Sequence, residues 1–353
     1  MKKIFLILAV LVMAICASAQ KNQYFWYQGN LMMGNPIAQI DSVTFGSEDT
    51  DSILVYLPRT IIKTVYDTIY ITIHDTVCPD AIPEGALPGE FSVSATKKVR
   101  FSKGNLQYQA STHTWRFAEN QWNFVGFSTY GNVYENGIKC DNSFISSSYA
   151  GWIDLFGWGT GNNPTQTSTS TSSYSTFVDW GNNLNLSGLN AWFTLSADEW
   201  AYLFCSRPNA AQLFALGTVE NVCGIIILPD DFTTPEGLTF NASTTLGLSY
   251  NEWRYTDSKN EGHYVDNNYS SLQWENMEAA GAVFIPSPGY REGTTVKKNI
   301  SNDDWYGGAW SSSISSGESS KAHDIACGKN VVTAKGNCTR SYGRGVRLVQ
   351  EVK

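Results

Sequence analysis

The chain has 353 residues, of which 42% are hydrophobic, 13% aromatic and 16% charged, and its formal net charge is −8. This length can bury one large core or two ordinary ones. An acidic chain without a lysine or arginine cluster is repelled by phosphates, which excludes nucleic acid and anionic lipid surfaces as expected partners.

The N-terminus has the pattern of a secretory signal peptide, residues 1–19. Two lysines precede an apolar run over 4–15, and the small-x-small site at 17–19 predicts cleavage after Ala19. The run is too short to span a bilayer, and no later stretch is long enough. A lipoprotein signal using Cys16 is the alternative. We expect a secreted, periplasmic or outer-surface protein whose net charge falls from −8 to −10 on losing both lysines.

The segments 20–48 and 49–88 precede the main domain. In the first, a short N-terminal β segment, alternation at 40–45 predicts a strand. In the second, TIIKTVYDTIYITIHDTV (60–77) has no Gly or Pro and predicts one extended strand, either docked on a neighbour or serving as a stalk. Prolines after it favour a β-rich stalk or linker, and its unpaired edges allow self-association.

Residues 89–353 read as one domain with few helices and many short strands. Alternation over 90–108 predicts strands around a turn at 103–105, and further strands are predicted at 224–228, 282–285 and 345–349. This mixture indicates an α+β fold.

Two helices are predicted in this domain. Ser196 and Glu199 form a capping box, and the apolar residues at 200, 203 and 204 that follow share one face. The second helix covers 271–281, where Gly281 supplies the stop.

The stretch GWIDLFGWGTGNNP (151–164) spaces large apolar residues with glycines. This composition favours a packed junction over an exposed aromatic platform, because soluble proteins rarely expose large apolar patches. Asp154 is then expected to accept hydrogen bonds instead of acting on a substrate. The polar tract 163–177 predicts a solvated loop.

Five motifs in fixed order carry a family resemblance over about residues 91–349. They are LSADEWAYLFCSR (195–207), CGIIILPDDF (223–232), ENMEAAGAVFIPSPGYREGT (275–294), YGGAWSSS (306–313) and RSYGRGVRLV (340–349). This order resembles exported Bacteroides- and Prevotella-type proteins whose domain is similar to the C-type-lectin-like fold of formylglycine-generating (sulfatase-modifying) enzymes. The Fibrobacter major paralogous domain is similar as well. The resemblance implies a C-type-lectin-like domain with two helices, small twisted sheets and variable loops.

The segment 302–313 is the best binding candidate. Trp305, Tyr306 and Trp310 stand among small polar residues, a composition that gives rigid contact area with adaptable hydrogen bonding. The resemblance places Tyr290 and Arg291 beside them. A core position for one or two of the tryptophans is the alternative. In this sequence Gly307-Gly308-Ala309 separates Tyr306 from Trp310, whereas the family pattern joins Tyr and Trp.

No catalytic site, metal or cofactor is predicted. The enzymes that the domain resembles bind copper through a closely spaced cysteine pair, but Cys327 and Cys338 are eleven residues apart and do not match. An acid–base pair at His323-Asp324 and a calcium site at Asp230-Asp231 are weaker hypotheses than the alternative that these residues form solvated surface. Hydrolysis by paired carboxylates, whose separation sequence does not show, stays an alternative; the candidates are Asp198, Glu199, Glu252 and Asp257.

Six cysteines follow the predicted cleavage site and allow 15 pairings. The shortest closures, Cys205–Cys223 and Cys327–Cys338, are the predicted disulfides, and buried thiols are the alternative.

The resulting hypothesis is an adhesin-like secreted or cell-surface protein that binds a glycan or protein through loops of a lectin-like domain, without catalysis. An extracytoplasmic hydrolase and a self-assembling surface component are the alternatives.

Overall fold

A computed structural model of the chain describes residues 82–184, 191–243, 262–298 and 307–352, and the backbone of six strands in the remaining stretches. The chain divides into two compact units, Met1–Ile82 and Pro83–Lys353. The predicted signal peptide and the strand predicted at 40–45 lie outside the described residues.

The described strands of the first unit form two antiparallel sheets. β1 (Gln23–Tyr27) pairs with β2 (Asn30–Asn35). The other sheet has the order β3 (Val55–Leu57), β4 (Thr60–Val65) and β5 (Thr68–Thr72).

The prediction of one extended strand over 60–77 is wrong, because the chain reverses and Val65 pairs with Thr68. The reversal gives this β-prone segment partners for backbone groups that a lone strand leaves unpaired. The part of the segment after Thr72 lies outside the described residues.

Short strands make up most of the second unit. In chain order they are β6 (Phe91–Ser92), β7 (Lys98–Phe101), β8 (Leu106–Gln109), β9 (Thr114–Phe117), β10 (Tyr134–Glu135), β11 (Ile138–Lys139), β12 (Trp152–Ile153), β13 (Phe193–Thr194), β14 (Phe214–Val219), β15 (Val222–Ile227), β16 (Glu252–Arg254), β17 (Asn268–Tyr269), β18 (Val283–Pro286), β19 (Tyr290–Glu292), β20 (Thr295–Lys297), β21 (Gly307–Ile314), β22 (Lys321–Gly328), β23 (Val331–Thr339), β24 (Tyr342–Gly343) and β25 (Leu348–Glu351).

Small sheets are the common feature of this unit, and none of those described exceeds four strands. The strand orders are β10-β11, β12-β8-β9, β13-β25-β7-β6, β17-β14-β15-β18, β16-β23-β22-β21 and β20-β19-β24. With few helices among many short strands, the predicted α+β class is confirmed as a mostly β fold.

The first predicted helix is confirmed as α1 (Ala197–Ala201), which continues as a π-helical turn over Tyr202–Ser206. The Ser196 N–H donates to Glu199 Oε2 (2.7 Å), and the Glu199 N–H donates to Ser196 Oγ (3.2 Å). Trp200, the first residue of the predicted apolar face, is fully buried. Burial of such a large side chain contributes about 2–3 kcal/mol.

The second predicted helix is confirmed as α2 (Ser271–Ala279), which begins with a second capping box at Ser270. Gly281 follows it with φ +94°, and a Cβ there would lie 2.7 Å from the Gly89 Cα. Only glycine fits both the conformation and the space. No helix in the described part of the chain is both long and apolar enough to cross a membrane.

The largest core lies between the helix α1 and the strands β7, β14, β15, β18, β22 and β23. Leu87 belongs to this core, and its N–H donates to the Phe101 carbonyl (2.8 Å). The second unit therefore uses residues that precede the predicted domain start at 89.

A second core is built around the glycine-rich stretch 151–164, and the predicted packed junction is confirmed, because residues 152–161 are all buried. Asp154 accepts hydrogen bonds from the Val125 N–H (2.7 Å) and from Asn142 Nδ2 (2.9 Å). Burial raises the pKa of Asp154 to about 6, against the lowering effect of these hydrogen bonds. The Asp154 carboxyl therefore links the segments that carry Val125 and Asn142 through buried hydrogen bonds.

Candidate functional site

Trp310 lies in β21 with no exposed surface. Its indole Nε1 donates to the Phe156 carbonyl (2.7 Å). The prediction of Trp310 as a ligand contact is therefore wrong, because a side chain without exposed surface cannot touch a ligand. The neighbouring candidates Trp305 and Tyr306 lie outside the described residues.

Arg291 lies in β19 and is also fully buried. Its guanidinium donates to the carbonyls of Leu155 (3.2 Å), Gln166 (3.2 Å) and Gly293. Burial lowers the pKa of Arg291 to about 10. The prediction of Arg291 as a binding residue is wrong, because its N–H groups already donate to these three backbone carbonyls. Arg291 instead cross-links the segments that carry them.

Tyr290 is half-buried and keeps some exposed surface. Its ring stacks on Tyr342 in β24, with the centroids 5.0 Å apart and an interplanar angle of 22°. The Arg344 guanidinium carbon lies 5.6 Å from the Tyr290 centroid. Because Tyr342 covers one face of this ring, only the other face of Tyr290 is left for a ligand.

Neither predicted disulfide is formed. In the pairing of β22 with β23, Cys338 lies opposite Ala322, whereas Cys327 lies opposite Val332. Five residues along β22 separate these positions, about 16 Å, whereas a disulfide needs Cα atoms within about 7 Å. Cys205 lies in the π-helical turn, and Cys223 lies in β15.

The His323-Asp324 pair is not an acid–base pair. Asp324 is buried against Arg344, with 3.3 Å between Oδ2 and Nε. His323 Nδ1 instead lies 2.9 Å from the Gly336 carbonyl. Burial raises the pKa of Asp324 to about 6, although Arg344 opposes this.

The Asp230 carboxylate is held by donors within the protein. It accepts hydrogen bonds from the N–H and the hydroxyl of Ser92 (3.1 and 2.6 Å) and from Arg207 Nη1 (3.1 Å). Burial raises its pKa, but these donors outweigh burial and the net shift is downward. In the part of the chain that the structure describes, no three His, Cys, Asp or Glu residues are grouped to hold a metal ion.

A cleft of about 390 Å³ opens beside β9, the edge strand of its sheet. This volume lies at the lower end of the range for small-ligand sites. Its lining combines aromatic rings with both signs of charge: Glu84, Gly85, Lys103, Trp115, Arg116, Phe117, Glu119 and Leu184.

Packing fixes the two aromatic rings of the cleft. Trp115 is half-buried, and its ring contacts Tyr108 and Phe156, with centroid distances of 4.5 and 5.6 Å. Phe117 meets the edge of Trp192 at 4.7 Å. These contacts hold both rings rigidly, so a ligand would not have to order them.

Charged residues line the same cleft. Arg116 Nε donates to Gln107 Oε1 (2.9 Å), and its guanidinium carbon lies 3.7 Å over the Trp152 ring. Burial lowers the pKa of Arg116, and the neighbouring carboxylates of Glu135 and Glu119 partly oppose this. Lys103, Glu84 and Glu119 are exposed at the rim. The cleft can therefore contact an apolar face and also exchange hydrogen bonds with polar groups.

Sequence reasoning missed this cleft. The only local signal is the alternation in Thr114–Phe117, which places Trp115 and Phe117 on one side of a short strand. Glu84 and Leu184 are a hundred residues apart, and only tertiary packing brings them together.

A scan against protein-family models, a search of curated proteins and a search of solved structures each found no match to the chain.

Proposed function

We propose that the second unit is a C-type-lectin-like binding domain of a secreted or cell-surface protein, and that its cleft binds a carbohydrate without catalysis. The order of the five sequence motifs supports the lectin-like fold. The mostly β architecture with two short described helices is compatible with it.

The half-buried Trp115 ring, in a cleft with Lys103, Glu84 and Glu119 at its rim, carries this proposal. A sugar ring has an apolar C–H face and a polar rim of hydroxyls. An aromatic ring can cover the C–H face, while Lys103 donates hydrogen bonds and Glu84 and Glu119 accept them. The carboxyls with a raised pKa, Asp154 and Asp324, are buried and do not line the cleft.

The test is a glycan array followed by calorimetry with the best ligand. Trp115→Ala is expected to weaken binding at least about 30-fold, since a central aromatic contact contributes about 2 kcal/mol or more. Trp122→Ala is the matched control, because Trp122 is half-buried in a different cluster and does not line the cleft. Equal affinities of the two variants would remove the cleft from the proposal.

A hydrolase is the second candidate, because two carboxylates, Glu84 and Glu119, line the same cleft. Glycoside hydrolysis requires such a pair on either side of the bond. Incubation of the array ligand with the protein should release no reducing ends if the domain only binds. Release that Glu84→Gln and Glu119→Gln each abolish would establish the enzyme instead.

A further inference from the structure

Two cysteines that are far apart in sequence face the same core. Cys223 lies in β15, where it alternates with Ile225 and Ile227, whose side chains line the largest core. Cys327 in β22 is fully buried in that core. The two strands belong to different sheets, and both thiols face this shared core.

Ser287 connects the two cysteines. It follows β18, and its N–H donates to the Cys223 carbonyl (2.9 Å), which continues the antiparallel register of Gly224 with Pro286. Side chains directly opposite in such a pair have Cβ atoms about 5 Å apart. The Ser287 hydroxyl lies 2.7 Å from Cys327 Sγ. One small side chain therefore touches the Cys327 thiol and adjoins Cys223.

The other described buried thiols face different partners. Arg344 Nε donates to Cys338 Sγ (3.3 Å), and the Trp152 N–H donates to Cys140 Sγ (3.3 Å). Neither Cys338 nor Cys140 shares a neighbouring side chain with a second cysteine in the way that Cys327 and Cys223 share Ser287.

We propose that Cys223 and Cys327 form a disulfide when the folded protein meets a low-molecular-weight disulfide such as oxidised glutathione. Cys223 is half-buried, so its thiolate attacks first and gives a mixed disulfide, releasing one reduced glutathione. Cys327 then attacks the Cys223 sulfur and releases the second. Two protein S–H bonds and one glutathione S–S bond become one protein S–S bond and two glutathione S–H bonds.

The exchange is expected to be slow near neutral pH. Burial raises the pKa of Cys223 to about 11, reinforced by Cys327 and opposed by Lys298. Burial also raises the pKa of Cys327. Because the thiolate is the attacking species, incubation at about pH 8.5 gives a measurable rate.

The test treats the folded full-length chain with oxidised glutathione, alkylates the remaining thiols in denaturant and identifies linked peptides by mass spectrometry. The expected product is one linked pair containing Cys223 and Cys327, lighter by two hydrogens. The cross-link closes a loop of about 100 residues, so the melting temperature should rise by about 5–10 °C.

Cys223→Ser should abolish the linked pair and the rise in melting temperature. Cys205→Ser is the matched control, since Cys205 is also half-buried, and it should change neither. A glutathione adduct that persists on Cys223, a link between other cysteines, or complete alkylation of all thiols would overturn the proposal. The wild-type peptides decide this even if a variant fails to fold.

Discussion

The stretch 151–164 and the cleft strand β9 are both rich in aromatic residues, but the fold uses them in opposite ways. In the stretch, Phe156 is fully buried, and a Cβ on Gly157 would lie 2.1 Å from the Tyr174 ring, so glycine allows close packing. In β9, Trp115 is only partly buried and lines a cleft together with charged residues. The number of aromatic residues in a segment therefore does not distinguish a core from a binding surface.

The difference comes from what covers each ring. Trp310 packs against the 151–164 stretch and gives its only N–H to the Phe156 carbonyl. Trp115 packs against the rings of Tyr108 and Phe156, but it lies on an edge strand, and no further strand of its sheet is described beyond β9. An aromatic side chain on an edge strand is thus a better candidate for ligand contact than one in a glycine-rich junction.

The largest effect should come from exchanging the two tryptophans for alanine. Trp310→Ala removes a fully buried ring and leaves the Phe156 carbonyl without its donor, which should cost about 3–5 kcal/mol. Trp115→Ala removes a half-exposed ring and should cost about 1–2 kcal/mol. Urea unfolding monitored by circular dichroism measures both. Equal losses of unfolding free energy would contradict the distinction between core and cleft.

The second effect concerns the carboxyl inside the junction. The pKa of Asp154 is raised to about 6 by burial, whereas an aspartate in an unfolded chain titrates near 3.9. The native state binds this proton more tightly, so its contribution is complete below about pH 4 and is lost as the pH rises through about 6. The full difference is about 3 kcal/mol.

Asp154→Asn should remove this pH dependence. Unfolding free energies measured from pH 4 to pH 7 should decline less steeply for the variant than for the wild type, although buried Asp324 retains its own similar contribution. Asp198→Asn is the control for the substitution itself, because Asp198 is exposed and lies outside the junction. Parallel curves for wild type and Asp154→Asn would show that the buried carboxyl titrates as it does in the unfolded chain.

Local signals in the sequence predicted the parts of the fold that depend on neighbouring residues. The first helix was recognised from its capping box, since a cap and its partner are only three positions apart, and the second from its apolar face and from the stop at Gly281. The junction at 151–164 was recognised because glycine spacing and apolar bulk occur in one stretch. The strand predicted over 60–77 was wrong because β propensity does not show where a chain reverses.

The parts that depend on distant residues were missed. The cleft joins positions near 84, 115 and 184, and nothing in the sequence indicates that they meet. The disulfides were predicted between cysteines that are close in sequence, but the register of β22 and β23 separates Cys327 from Cys338. The register of β15 and β18 instead places Ser287 opposite Cys223, and the Ser287 hydroxyl contacts Cys327.

The smallest effect should come from one glycine in the cleft wall. Gly85 has φ +83°, and a Cβ there would lie 3.1 Å from the Phe117 ring. Gly85→Ala should therefore cost about 1 kcal/mol in backbone strain, push the ring aside and weaken carbohydrate binding about threefold or more. Gly237→Ala is the matched control, because Gly237 has φ +79° with no atom within 4 Å of its Cβ position. It should lose similar stability and keep its affinity; equal affinity of the two variants would show that the position of Phe117 does not matter for the ligand.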